Sequence, residues 1–137
     1  MYEQLATFPE NLSEFLIFFV VASVLVLLFV FIYTRITRHN ELDLIKKNST
    51  AAAVAFSGSL IGFALPLAST MINSVNVVEL ALWGVIALIV QVLVYLLIRL
   101  PMPRISERIE ADEVAAGIWL GACSMVAGIL NAASMTT

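Results

Sequence analysis

The chain has 137 residues, of which 61% are hydrophobic and 12% charged, and its formal net charge is −3. Soluble domains carry about 25% charged residues, so this composition excludes a water-soluble globular protein, and we expect no nucleic-acid partner. The few charges are also segregated along the chain. They leave four uncharged stretches, Phe15–Thr34, Ser49–Val78, Leu80–Ile98 and Val114–Thr137.

Each uncharged stretch is long enough to cross the lipid bilayer as a helix. A span needs about 20 apolar residues to cover about 30 Å of hydrocarbon, and spans are predicted near residues 14–34, 50–71, 78–98 and 114–134. The first span is not a cleavable signal, because glutamates and no basic residues precede it. Strands of membrane barrels alternate apolar and polar side chains, whereas the first stretch is apolar on every side. The sequence therefore predicts an all-α integral membrane four-helix bundle.

All seven basic side chains lie in the two segments that follow the first and third predicted spans. Basic residues near the ends of spans mark the cytoplasmic side of a membrane protein. We therefore predict that both segments are cytoplasmic and that the N and C termini lie outside. The orientation-setting residues are Arg35, Arg38, Lys46, Lys47, Arg99, Arg104 and Arg108.

The chain contains an internal repeat with an offset of 64 residues. This shift places Arg35 on Arg99 and Ala51 on Ala115, and it aligns the first span with the third and the second with the fourth. Because each unit has an even number of spans, the two units are predicted to be parallel, related by an axis along the membrane normal. We predict a single membrane domain over residues 1–137, with repeat one at about 14–71 and repeat two at about 78–134.

Small residues are concentrated in the second and fourth spans. Lipid tails are as apolar as leucine, so helices in a bilayer associate where small residues let their backbones approach. Each of these two spans contains a GxxxG motif, whereas the first and third carry large apolar residues all round. We predict that helices two and four form the packed centre and that helices one and three shield it. The predicted helix-packing residues are Ala51, Ala55, Gly58, Ser59, Gly62, Gly117, Gly121, Gly128 and Ala132.

Polar residues precede the second and fourth spans at equivalent positions of the repeat. Asn48, with Ser49 or Thr50 as alternatives, and Asp112 are predicted to be helix N-caps at the cytoplasmic face, each offering an oxygen to unpaired N–H groups. The functional alternative is that Asn48 and Asp112 form part of an entrance for ions or solutes.

Three residues interrupt the apolar character of the spans. Gln91 lies near the middle of the third span, Asn131 about one turn from the outer end of the fourth, and Pro66 inside the second. Polar groups within a membrane either form interhelical hydrogen bonds or line a solute path. Both alternatives stay open for Pro66, Gln91 and Asn131.

The sequence offers little for enzyme chemistry or for a cofactor. No nucleophile has a plausible base beside it, no Cys/His pattern suits a metal, and no glycine-rich phosphate loop is present. His39 is expected to be solvated, and the single cysteine, Cys123, excludes a disulfide within the chain. We predict a protein that is not an enzyme; an enzyme acting on lipid within the bilayer would need a cluster of buried titratable groups.

The stretches "ITRHNELDLIKKNSTAAAVAFSGSLIGFALPLAS", "WGVIALIVQ" and "AAGIWLGACSMVAGILNAASMT" resemble the YjfL-like bacterial inner-membrane proteins, a family of unknown function built as a tandem two-helix repeat. The resemblance covers nearly the whole chain, although Asp112 stands where the family often has Asn. It implies a multi-pass protein of the bacterial inner membrane. Genes of this family often lie beside those for PspA-like membrane-remodelling proteins and glutathionylspermidine-synthase-like ligases, which implies a role in envelope maintenance or stress and a PspA-like candidate partner.

Two functions are compatible with these features. The first is a non-enzymatic integral inner-membrane protein that self-associates into a homo-oligomer in the lipid bilayer and acts in envelope maintenance or membrane stress. The alternative is a channel or permease subunit for ions, polyamines or small solutes. Whether Gln91 and Asn131 face protein, lipid or water discriminates between the two.

Overall fold

The computed structural model describes residues 2–37 and 39–135, with side chains described from Leu5 onward. All regular secondary structure in these residues is α-helical. Arg38, one of the predicted orientation-setting residues, lies outside the described residues. The helices are α1 (Tyr2–Ile36), α2 (Glu41–Lys46), α3 (Thr50–Asn73), α4 (Val77–Arg99), α5 (Ile105–Glu110) and α6 (Val114–Ser134).

Helices α1, α3, α4 and α6 are long and apolar enough to cross a membrane. This confirms the predicted all-α membrane protein with four spans. The turn between α3 and α4 is short, and Asn76 closes it because its side-chain oxygen accepts a hydrogen bond from the Glu79 N–H at 3.0 Å. The predicted bounds agree closely with the helices except at the start of α1.

Helix α1 is longer than the predicted first span. It begins at Tyr2 rather than near residue 14 and has 35 residues. At a rise of 1.5 Å per residue it is about 52 Å long, and it therefore extends about 20 Å beyond a hydrocarbon core of about 30 Å. Pro9 lies inside this helix and costs it one hydrogen bond, to the Leu5 carbonyl. The part near Pro9 exposes Leu5, Phe8 and Leu12.

Helix α3 is the centre of the bundle. It packs most extensively against α6 and also contacts α4 and α1. Helices α3 and α6 run parallel, since Ala51 meets Gly117 near their starts and Ser69 bonds to Ala132 near their ends. Helix α1 is mostly exposed, but α4 is more than a shield, because it buries the same share of its span as α6.

Aromatic rings fix α1 against α3 and α4. The ring of Phe29 stacks on that of Phe63 with 4.6 Å between centroids and on that of Tyr33 with 5.2 Å. Tyr33 in turn meets the ring of Tyr95 edge-on at 5.6 Å. Such pairs each contribute about 0.5–1.5 kcal/mol beyond the area they bury. They add to the contacts of Ala22 and Leu25, which are also buried on this side of α1.

The short helices α2 and α5 end in matching turns. Asn48 and Asp112 each follow the C-cap residue of these helices and have φ values of 68° and 58°. In each turn, the N–H of Asn48 or Asp112 and the N–H of the residue after it donate hydrogen bonds to carbonyls of the preceding helix. This pattern is a Schellman motif. Asparagine and aspartate adopt this left-handed conformation more readily than other residues with a side chain. Asn48 and Asp112 therefore end α2 and α5, and their prediction as N-caps of α3 and α6 is wrong.

The N-caps lie one residue after Asn48 and Asp112, because an N-cap has extended backbone and a left-handed residue cannot provide it. For α3 this residue is Ser49, one of the predicted alternatives. Ser49 caps α3, its Oγ accepting from the Ala52 N–H at 3.3 Å. Glu113 is the N-cap of α6, without a side-chain capping bond to another described residue. The Asp112 carboxylate instead reaches the neighbouring helix, where Oδ1 accepts from the Ala51 N–H at 2.9 Å and from Ser49 Oγ at 3.1 Å.

Candidate functional site

The glycines of α3 and α6 lie where the two backbones are in direct contact. A Cβ added to Gly58 would collide with the backbone of Gly121, and one added to Gly128 would collide with the backbone of Gly62. A Cβ on Gly121 would also lie 2.7 Å from the Val54 carbonyl oxygen. Helices approach this closely only where side chains are absent. We call this contact the α3/α6 seam, formed by Gly58 and Gly62 with Gly121 and Gly128.

The other predicted packing residues lie along the same seam. Gly117 stands against the backbone of Ala51, and Ala51 and Ala55 are fully buried. Ser59 is buried and donates to Ser124 Oγ of α6 at 3.2 Å. The structure thus brings these residues together, with Ala132 half-buried at the outer end, where its carbonyl accepts from Ser69 Oγ at 3.2 Å.

Gln91 joins three helices in the interior of the bundle. It is 1% exposed, and its Nε2 donates to the carbonyl of Gly62 in α3 at 2.9 Å and to the carbonyl of Ser124 in α6 at 3.2 Å. Its Oε1 has no partner among the described residues. Gln91 therefore faces protein and forms interhelical hydrogen bonds.

Pro66 and Asn131 differ from each other in their surroundings. Pro66 is buried in α3 and cannot donate to the carbonyl of Gly62; that carbonyl accepts the hydrogen bond from Gln91 instead. Asn131 is half-buried, and its Nδ2 has no hydrogen-bond partner among the described residues. Gln91 and Asn131 form no hydrogen bond with each other in the part of the chain that the structure describes.

An apolar groove runs between the exposed sides of α3 and α6. Ser57 and Ala122 are exposed there, and the Ser57 hydroxyl forms no hydrogen bond with another described residue. The groove has a volume of about 430 Å³. We call it the α3/α6 groove; it is lined by Ala53, Val54, Ser57, Gly58, Ile61, Ile118, Gly121, Ala122 and Met125.

His39 is buried, and the prediction that it is solvated is wrong. Its side chain is 1% exposed, with Nε2 3.1 Å from Glu41 Oε1 and Nδ1 3.0 Å from Ser106 Oγ. Ser106 Oγ lies 3.0 Å from the hydroxyl of Tyr95. His39 is thus enclosed between Glu41 of α2 and Ser106 of α5. We call these four residues the His39 cluster: Glu41, His39, Ser106 and Tyr95.

A second set of buried hydroxyl groups lies deeper in the bundle. The Tyr33 hydroxyl is 2.8 Å from Ser59 Oγ, which donates to Ser124 Oγ. These three residues come from α1, α3 and α6, and all are almost fully buried. They form a polar connection across three of the four spans.

Sequence reasoning missed the His39 cluster. One signal was available, since the only histidine of the chain and Glu41 stand two residues apart directly after the first span. Tyr95 is unremarkable in sequence, because tyrosines are common near the ends of spans. Ser106 is 67 residues from His39, so no local pattern could have connected the two.

The described basic residues lie at the ends of helices or in the connections between them. Arg35 stacks over the Phe31 ring with 4.6 Å to the centroid, and Arg108 Nε is 3.5 Å from Glu113 Oε1. Lys46, Lys47 and Arg104 are exposed and Arg99 is half-buried. None of these contacts assigns a side of the membrane, so the orientation stays a prediction.

Comparison with known proteins identifies a family. The family described as Domain of Unknown Function (DUF350) matches residues 6–135. The "UPF0719 inner membrane protein YjfL" of Escherichia coli (strain K12), like that of Escherichia coli O157:H7, is 46% identical over 127 residues, covering 93% of this chain and 96% of the relative. The "UPF0719 transmembrane protein YshE" of Bacillus subtilis (strain 168) is 26% identical over 116 residues, covering 82% and 87%. No solved structure matches.

Proposed function

Since the chain belongs to the DUF350 family and is a multi-pass protein of the inner membrane, we propose that it self-associates in the bilayer as a non-enzymatic protein of envelope maintenance. The observation that carries self-association is the α3/α6 groove. The envelope role, with a PspA-like protein as candidate partner, rests on the family resemblance alone.

The groove is a better surface for a helix than for lipid. Its middle is formed by small residues, with Ser57 of α3 and Ala122 of α6 exposed, and the exposed side chains of Ile61 and Ile118 flank them. Helices in a bilayer gain dispersion contacts where small residues allow close approach. The Ser57 hydroxyl, which has no hydrogen-bond partner among the described residues, also favours a helix as the occupant of the groove. A polar group in hydrocarbon is stabilised by a hydrogen bond to another helix.

The proposed occupant is a second copy of this chain. A twofold axis along the membrane normal would place the groove of one copy on that of the other, and each would present the same surface. The two Ser57 hydroxyls would then lie near the axis and bond to each other. The seam glycines already pack against each other within one chain, and Gly58 and Gly121 also line the groove, so we assign self-association to the exposed side of the groove.

The experiment measures the mass of the protein in native lipid particles. Ser57→Phe and Ala122→Phe fill the groove from its exposed side, and we expect either variant to shift the protein from a dimer or larger oligomer to a monomer. Ile89→Phe is the matched control, because Ile89 is exposed on α4, outside the groove. A wild-type monomer, or groove variants that keep the wild-type mass, would contradict the proposal.

The alternative, a channel or permease subunit, has less support from the geometry. Gln91 is one of the residues predicted to line a solute path under this alternative. It donates both of its observed hydrogen bonds to backbone carbonyls of α3 and α6. Pro66 is buried in the packed centre of the bundle. We therefore rank the channel or permease function below self-association.

A further inference from the structure

Glu41 is a fully buried carboxyl group with an incomplete set of partners. It is 0% exposed, and its Oε1 lies 3.1 Å from His39 Nε2. Neither Oε1 nor Oε2 accepts a hydrogen bond of good geometry from the residues that the structure describes, and His39 Nε2 likewise has no such partner, so the two groups meet at ion-pair distance only. Well-packed apolar residues of similar volume are often at least as stable as a buried ion pair. Stability alone therefore does not explain why this pair is buried here.

His39 extends this pair towards the membrane interior. Its other ring nitrogen, Nδ1, is 3.0 Å from Ser106 Oγ, and Ser106 Oγ is 3.0 Å from the Tyr95 hydroxyl. Each hydroxyl can donate or accept, whereas each ring nitrogen donates only when it carries a proton. The directions of these hydrogen bonds therefore depend on the number of protons on His39.

A polar hollow lies against His39 on the predicted cytoplasmic side, although the side chains of His39 and Glu41 are themselves 0% exposed. It has a volume of about 340 Å³, and His39 forms part of its wall together with Thr34, Arg35, Thr37, Asn40 and Leu42. Because His39 is part of the wall, solvent that enters the hollow comes next to the residue that takes up the proton.

Among the residues that the structure describes, few other titratable or charged groups lie near the pair. The Tyr95 hydroxyl of α4 lies 3.0 Å from Ser106 Oγ, and the ring of Tyr33 of α1 meets the Tyr95 ring edge-on. The guanidinium of Arg99 lies over the Tyr95 ring, 5.8 Å from its centroid. From α5 the neutral hydroxyl of Ser106 faces His39. Histidine is the side chain suited to exchanging a proton near neutral pH in such a setting.

We propose that Glu41 and His39 form a proton-binding site whose state is passed to Tyr95 through Ser106. Before uptake, neutral His39 carries its proton on Nε2, beside the Glu41 carboxylate, Nδ1 accepts from Ser106, and Ser106 Oγ accepts from Tyr95. After one proton from a solvent hydronium ion binds Nδ1, Nδ1–H donates to Ser106 Oγ, and the Ser106 hydroxyl donates to Tyr95. The site gains one proton, and both hydrogen bonds reverse. This site is independent of the proposed self-association.

The test is an infrared difference spectrum of the full chain in phospholipid bilayers, recorded between mildly alkaline and mildly acidic buffer. The imidazole signal belongs to His39 without ambiguity, because the chain has one histidine. We expect imidazole and tyrosine bands to change together. Tyr95→Phe should remove the tyrosine change, and Ser106→Ala should remove it while leaving the imidazole change in place.

Glu41→Gln removes the charge that holds the imidazole proton, and we expect it to shift the pH at which the imidazole band changes. Asp43→Asn is the matched control, because Asp43 is exposed on the same short helix, and its spectrum should match the wild type. If Glu41→Gln prevents folding, as judged by circular dichroism, Ser106→Ala carries the test alone. A tyrosine change that survives in Ser106→Ala would overturn the proposal.

The order Ser106, His39, Glu41 is also the connectivity of a hydrolase triad. Ser106 is 5% exposed and is not among the described residues that line the hollow, and its hydroxyl is shared with Tyr95. A fluorophosphonate probe distinguishes the two functions. Labelling of Ser106 would overturn the proton site in favour of a nucleophile, whereas an unlabelled protein supports the proton site.

Discussion

Asn48 and Asp112 occupy equivalent positions of the predicted repeat, and the structure gives them the same backbone but different partners. Both have positive φ and end a short helix. Only the Asp112 side chain caps a neighbouring helix, by accepting from the N–H of Ala51. The negative charge also suits the positive end of the α3 dipole. Asn48 therefore stabilises only its own turn, whereas Asp112 stabilises its own turn and also the start of α3.

Alanine substitutions at these two positions separate the turn from the cap. Asn48→Ala and Asp112→Ala impose the same left-handed conformation on alanine, so their backbone costs are similar. We expect Asp112→Ala to lower the free energy of unfolding by about 1 kcal/mol more than Asn48→Ala, because it also removes the cap of α3. Unfolding in mixed micelles measures both variants. Equal losses would show that the Asp112–Ala51 hydrogen bond contributes no stability.

At the scale of the helices, the residue composition predicted the contact between α3 and α6, but it did not predict that α4 also has a buried face. Glycines at GxxxG spacing indicate close approach, and α3 and α6 meet at these glycines. Large apolar residues all round α4 suggested a helix facing lipid. Gly84 and Gln91 nevertheless give α4 a buried face against α1, α3 and α6. A single polar residue in a span was thus a better guide to burial than the average composition.

A methyl group placed in the seam tests the backbone contact between α3 and α6. In Gly128→Ala the new Cβ meets the backbone of Gly62, which cannot move aside as a side chain could. Overpacking costs about 1–3 kcal/mol, and the better helix propensity of alanine returns up to about 1 kcal/mol. We expect a net loss on the order of 1–2 kcal/mol in the free energy of unfolding in micelles.

Val126→Leu is the control for this substitution, because Val126 is exposed on the same helix. It should stay within about 0.5 kcal/mol of the wild type. A Gly128→Ala variant as stable as Val126→Leu would mean that α3 and α6 are not in backbone contact at this point.

For the molecule as a whole, the arrangement of charge predicts the orientation in the membrane. All seven basic residues lie in the last turns of α1 and α4 or in the connections that follow these helices, and Ser106 of one connection bonds to His39 of the other. Both connections therefore lie at the same end of the bundle. The matching turns after α2 and α5 support the predicted two-unit repeat, which stays a prediction.

Reporter fusions test the predicted orientation. A periplasmic phosphatase fused after Ser134 should be active and a fluorescent protein at the same place dark, because the C terminus is predicted outside. The same reporters fused after Arg104 should give the opposite result, because that connection is predicted to be cytoplasmic. An active phosphatase at Arg104 would reverse the orientation and place the hollow beside His39 outside.

Sequence alone determined the features that depend on what each residue is and on its neighbours along the chain. The number of spans follows from uninterrupted apolar length, and the close contact of α3 and α6 follows from glycines four residues apart. The tertiary structure decided which distant polar groups meet. His39 is buried beside Ser106, which in turn bonds to Tyr95, and Asp112 caps α3 because the two halves pack side by side. These pairings depend on backbone positions fixed by packing over the whole bundle, and they therefore cannot be predicted from hydropathy along the chain.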